Sequence, residues 1–95
     1  MSISKNKVEV FLKGEFTTID VYLEGKEIGL REINDNEYYK LYNEFYIDGQ
    51  LDIHVRLKGW NTSKWSFTVK LNDKELFAKS DKFDSSGFVT FTVKK

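Results

Sequence analysis

Two runs near the middle of the chain alternate strictly between apolar and polar residues. Leu51, Ile53, Val55 and Leu57 interleave with Asp52, His54, Arg56 and Lys58, and Trp65, Phe67, Val69 and Leu71 interleave with Ser66, Thr68 and Lys70. A period of two predicts strands with one face buried and the other in water. Val8, Val10 and Leu12 repeat the pattern. So do Ile19, Val21 and Leu23, which follow Phe16, and Val89, Phe91 and Val93, which are separated by Thr90 and Thr92. Gly14, Gly25, Gly29, Gly49, Gly59 and Gly87 punctuate these runs. Strands are therefore expected near 7–12, 16–24, 27–32, 37–47, 51–58, 64–71, 75–79 and 87–94.

The loop 59–63 is short enough to close a hairpin between the two central runs. The matching register sets Leu57 against Trp65, Val55 against Phe67, Ile53 against Val69 and Leu51 against Leu71, so every buried residue meets another. On the wet face Asp52 then lies across from Lys70 and His54 across from Thr68. The run before it admits two readings. Tyr38, Leu41, Tyr42 and Phe45 have helical spacing, and Asn34 with Glu37 resembles a capping box. The tyrosines and the Asp48-Gly49 turn favour a strand, with Leu41 and Phe45 inward and Tyr42 and Tyr46 outward beside His54 and Asp52.

These elements predict one all-β domain over residues 1–95: an antiparallel two-sheet β-sandwich, immunoglobulin-like, of seven or eight short strands. A small closed β-barrel is the alternative, disfavoured because so many bulky inward residues would fill its interior. The fragment Val21-Tyr22-Leu23-Glu24-Gly25-Lys26-Glu27-Ile28-Gly29 resembles the hairpin of PEGA-type surface β-sandwich domains, without the proline-rich flanks such domains carry. That resemblance implies a sandwich hairpin at this place in the chain.

The chain has no cysteine, which removes disulfides and thiolate metal ligation, and no stretch is apolar for long enough to span a bilayer. Its start lacks the apolar region of a signal peptide, so a soluble, cytoplasmic protein is expected. Fifteen basic residues balance fifteen acidic ones, which argues against a nucleic-acid partner. The balance hides a polarity: residues 1–48 carry six basic and ten acidic side chains, net −4, and residues 49–95 carry nine and five, net +4. Interleaved strands are expected to average this out; segregated halves would instead favour docking or a homo-oligomer.

Asp52, His54, Thr68 and Ser66 would share one face in the expected hairpin, yet an open sheet offers neither a dry cleft nor an oxyanion-stabilising group, so no enzyme is expected. A single histidine without cysteine makes a zinc site unsupported. Asp81, Asp84 and Ser85, and the stretch from Asn34 to Glu37, are oxygen-rich but match no complete calcium loop and read as turns. No cofactor motif is present.

Aromatic residues make up 16% of the chain, and most belong to the core series. Trp60 stands apart in a loop with Asn61, Thr62 and Ser63. It is expected either to fold over the end of the sandwich as a lid or to stack on a sugar ring or a protein surface. The candidate partner-binding residues are Tyr42, Tyr46, His54, Arg56 and Trp60. The function expected from them is a non-catalytic module that contacts a protein through an exposed sheet face or edge strand. The alternatives are a carbohydrate-binding module built on Trp60 and a structural subunit of a homo-oligomeric assembly.

Overall fold

The structure, a computed structural model, describes residues 3–95. Its elements are all strands: β1 (Ile3–Lys13), β2 (Phe16–Leu23), β3 (Lys26–Ile28), β4 (Arg31–Asn34), β5 (Glu37–Asp48), β6 (Asp52–Gly59), β7 (Lys64–Leu71), β8 (Lys74–Lys82) and β9 (Phe88–Lys94). They form two antiparallel sheets. Sheet A has the order β4-β5-β1-β7-β8 and sheet B the order β3-β2-β6-β9. Neither sheet closes on itself, so the barrel alternative is set aside.

Alternation puts Val8, Val10 and Leu12 of β1 and Phe67 and Val69 of β7 on one side of a single core. Val21 and Leu23 of β2 and Ile53, Val55 and Leu57 of β6 form the other side, all essentially without exposure. Each such side chain contributes about 1.5–3 kcal/mol through burial.

The hairpin expected from the two central runs does not form. β6 pairs with β2 and β9, placing Val55 opposite Val21 and Phe91. β7 pairs with β1 and β8, placing Phe67 opposite Leu12 and Lys79. Residues 60–63 carry the chain from one sheet to the other, so Val55 and Phe67 enter the core from opposite sheets. Alternation fixes which face of a strand is wet; two such strands satisfy it equally well edge to edge or face to face. For the same reason the single strand expected at 27–32 is two, β3 in sheet B and β4 in sheet A, broken at Gly29-Leu30.

Crossings between sheets fall beside Gly14, Gly29, Gly49, Gly59 and Gly87. Connections within a sheet are tight hairpins instead. Glu24-Gly25 (φ 52° and 76°) and Asn72-Asp73 (φ 51° and 69°) have two successive left-handed residues, the turn that matches the twist of the flanking strands.

β5 is a strand, but its inward set is not the expected one. Val8 lies opposite Tyr42 and Asn6 opposite Phe45, so β5 carries one extra residue at a β-bulge. Tyr38 and Tyr42 share the inward side before the bulge, and Phe45 and Ile47 share it afterwards. Leu41 is turned outward and is 36% exposed. The bulge creates the three-residue step that imitates helical spacing.

The two halves of the chain do not interleave. β1 to β5 supply β4-β5-β1 of sheet A and β3-β2 of sheet B, and β6 to β9 supply the remainder. The two-residue link Gly29-Leu30 keeps β3 and β4 on one flank, while Phe77 of β8 and Phe91 of β9, with ring centroids 6.0 Å apart, mark the other. The acidic half therefore lies beside the basic half, and the expected averaging of charge is overturned.

Candidate functional site

Because β2, β6 and β9 are neighbours, their outward residues fall into rows across sheet B. One row is Tyr22, His54 and Thr92; the next is Asp20, Arg56 and Thr90. His54 Nδ1 lies 2.8 Å from Thr92 Oγ1, and the Tyr22 ring centroid lies 5.9 Å from that of the imidazole. The Arg56 guanidinium sits 5.9 Å from the centre of the Phe88 ring. Below the first row Asp52 faces Lys94 in register and donates its backbone N–H to the Glu24 carboxylate at 2.9 Å. Tyr22, Gly25, Asp52, His54, Arg56 and Thr92 line a depression of about 340 Å³. Its walls offer an aromatic ring, a guanidinium and hydroxyl and imidazole hydrogen-bonding groups, a mixture suited to polar protein surfaces.

The constellation of Asp52, His54, Thr68 and Ser66 is not assembled. Thr68 and Ser66 belong to β7, in the opposite sheet, and the hydroxyl partner of His54 is Thr92.

Of the candidate partner-binding residues, His54 and Arg56 share the outer face of sheet B. Tyr42 is half-buried on the inward side of sheet A, its ring 5.3 Å from Phe45, and burial raises its phenol pKa. Tyr46 is 62% exposed but sits in β5, opposite Lys5, away from His54. The expectation that Tyr42 and Tyr46 flank His54 fails with the hairpin that carried it.

Trp60 is also 62% exposed, so it is no lid. Phe83, 2% exposed, closes that end of the core, with ring centroids 6.0 Å from Phe16 and 6.4 Å from Trp65. The Phe83 carbonyl accepts the N–H of Thr62 at 2.9 Å, and Thr62 is held at φ 67°, an uncommon backbone for a β-branched residue. The loop is thus anchored through its backbone while the indole stays in solvent.

Tyr22 and Thr92 were legible as outward residues from the alternation of Val21 with Leu23 and of Phe91 with Val93. Their meeting with His54 was not, because it depends on pairing. The outer face of sheet A carries a second cluster that alternation alone left unremarked. Phe11 and Tyr39 lie 4.9 Å apart, Lys70 Nζ is 5.4 Å from the Phe11 ring, and the Tyr39 hydroxyl donates to Glu9 at 2.7 Å. That hydrogen bond, ahead of burial, raises the Tyr39 pKa. In the turn before β9, hydrogen bonds from Ser86 hold the Asp84 carboxyl below its ordinary range, the behaviour of a turn aspartate.

No helix among the described residues is long and apolar enough to cross a membrane. Set against known proteins, the chain matches no family model, no curated protein and no solved structure.

Proposed function

We propose that this chain is a non-catalytic binding module that contacts a protein partner through the outer face of sheet B. The observation that carries the reading is the row Tyr22, His54 and Thr92 beside an exposed Arg56, displayed on an open sheet. Tyrosine and arginine there combine apolar contact area with directed hydrogen bonding at modest entropic cost. The scaffold is two antiparallel sheets over one core, and β1 and β2 lie in different sheets, whereas the first two strands of an immunoglobulin domain share one. A non-catalytic role is supported by the separation of His54 from Ser66 and Thr68.

The test is capture from native lysate with the wild-type chain and with a Tyr22→Ala, Arg56→Ala double variant, followed by titration of each partner identified. Loss of binding by the double variant, with an unchanged circular dichroism spectrum, supports the reading. Recovery of the same partners with equal affinity overturns it.

A second reading, carbohydrate binding, is favoured by the exposure of Trp60 beside Asn61 and Thr62. It requires quenching or enhancement of tryptophan fluorescence by a glycan, abolished by Trp60→Ala. A silent response across a broad glycan panel removes it.

A further inference from the structure

The four sheet edges are not equally protected. β3 and β4 are short, and β4 has a register break between Glu32 and Asn34. β8 is interrupted opposite Val69 and Lys70 and carries Lys74, Glu75, Lys79, Asp81 and Lys82. Short length, bulges and charges are the usual guards against edge pairing. β9 is the least guarded: it runs unbroken along β6 from Phe88, its one charged residue is the terminal Lys94, and the charge beside its middle is Lys79 of β8, 5.6 Å from the Phe91 ring.

The backbone groups of β9 are sorted by the ladder. Leu51 and Lys95 exchange both hydrogen bonds, and Gly59 donates to the Gly87 carbonyl. Antiparallel ladders alternate residue by residue, so Val89, Phe91 and Val93 direct their N–H and C=O toward β6. Phe88, Thr90, Thr92 and Lys94 direct theirs to the free edge. The side chains follow a related order, since Val89-Thr90-Phe91-Thr92-Val93 reads the same in both directions.

We propose that β9 pairs antiparallel with β9 of a second copy of this chain, about a two-fold axis at Phe91. A closed two-fold contact requires a patch complementary to itself, and a palindromic strand supplies one. In this register Thr90 meets the second copy's Thr92 and Phe88 meets its Lys94, so every outward backbone group finds an outward partner. On the core side Phe91 faces its own copy and Val89 faces Val93. Lys94 and Lys95 come to the end that holds the other copy's Asp84 turn. A one-residue slip sets outward groups against groups already bonded to β6, and a two-residue slip shortens the ladder and breaks the Val–Val and Phe–Phe matches. Pairing fuses the two four-stranded sheets into one and doubles the Tyr22–His54–Thr92 row on a continuous surface. The proposal concerns the edge alone and stands whether or not that row binds a partner.

Charge opposes this contact and favours its rival, head-to-tail stacking of the acidic flank on the basic one. Screening decides between them: charges on exposed flanks are damped over about 8 Å at physiological salt, whereas a ladder of main-chain hydrogen bonds is not. The dimer is therefore expected to persist or strengthen as salt rises, and head-to-tail stacks to dissolve.

Sedimentation of the full chain across a concentration series, at low and high salt, provides the first readout: a monomer–dimer equilibrium at both, lost in Thr90→Pro, whose N–H serves only the free edge. The second readout uses the absence of native cysteine. Thr90→Cys mixed with Thr92→Cys should form a disulfide-linked dimer on mild oxidation, while each variant alone should not. A wild-type chain that stays monomeric, longer oligomers that dissolve in salt, or cross-linking of the single variants as readily as of the mixture would each overturn the proposal.

Discussion

Gly59 donates its N–H to the carbonyl of Gly87 at 2.9 Å, and Gly87 packs so closely in return that a Cβ there would come within 2.5 Å of the Gly59 oxygen. This contact ties the end of β6 to the start of β9. It also leaves room for Phe83, whose ring and the Glu15 carbonyl occupy the space a side chain at Gly59 would need.

Gly87→Ala is accordingly expected to destabilise twice over. The left-handed backbone at φ 64° costs about 1–2 kcal/mol for an L-residue, and the forced displacement about 1–3 kcal/mol more. Gly59→Ala carries only the crowding cost, about 1–3 kcal/mol. Urea denaturation of both variants checks this; a loss below about 0.5 kcal/mol, the range of ordinary surface substitutions, contradicts the packing argument.

Asn72 connects the β7–β8 turn to β1. Its side chain donates to Asn6 Oδ1 at 2.8 Å and accepts the Lys7 N–H at 2.9 Å, while its own N–H donates to the Lys7 carbonyl. Asn72→Gly keeps the left-handed turn and loses the side-chain bonds, at about 1–3 kcal/mol because Asn6 is buried and left short of a partner. Asn72→Ala adds the backbone cost, about 1 kcal/mol more. Equal stabilities of the two variants in thermal unfolding would show that the turn conformation is not the cause.

The two tryptophans should behave oppositely. Trp60→Ala, at a solvent-exposed ring, is expected to stay within about 0.5 kcal/mol of wild type. Trp65 is 3% exposed and stacked on Phe91 at 5.9 Å with 16° between planes. Trp65→Ala should cost about 3–5 kcal/mol. Calorimetry on the pair distinguishes them, and a comparable loss at Trp60 would refute its solvent placement.

Stability should fall at both ends of the pH scale through identified groups. The Lys7 ammonium, 2.8 Å from the Asp73 carboxylate, holds that carboxyl below its ordinary 3.8. Its contribution is present above that value and disappears as pH drops through the lower folded one. The Tyr39 phenol is raised above 10.0 by its bond to Glu9, so its contribution is present below 10.0 and disappears as pH climbs through the raised value. Asp73→Asn should flatten the acid arm of a stability–pH profile and Tyr39→Phe the alkaline arm. High salt should weaken the first, because the pair is solvent-exposed.

Much of the fold was legible residue by residue. Of the inward set, Leu51, Ile53, Val55, Leu57, Trp65, Phe67 and Val69 are buried as their spacing required and Leu71 is half-buried against the core, and the glycines mark the places where the chain turns or changes sheet. The candidate site was legible only in part. His54 and Arg56 were read as outward and are, but Tyr42 was turned inward by a bulge invisible in the pattern. The lid expected of Trp60 is Phe83, set among Lys82 and Asp84 where no periodicity points to it.

Side-chain alternation is a local property of an extended backbone, so outside the bulged β5 the chain alone determined which strand residues are wet, which are dry and that the fold is built of strands. Backbone hydrogen bonds are the same for every residue, so nothing local says which strand lies beside which. Tertiary structure decided that β6 and β7 belong to opposite sheets, that His54 meets Thr92 rather than Thr68, and that the acidic and basic halves stand side by side.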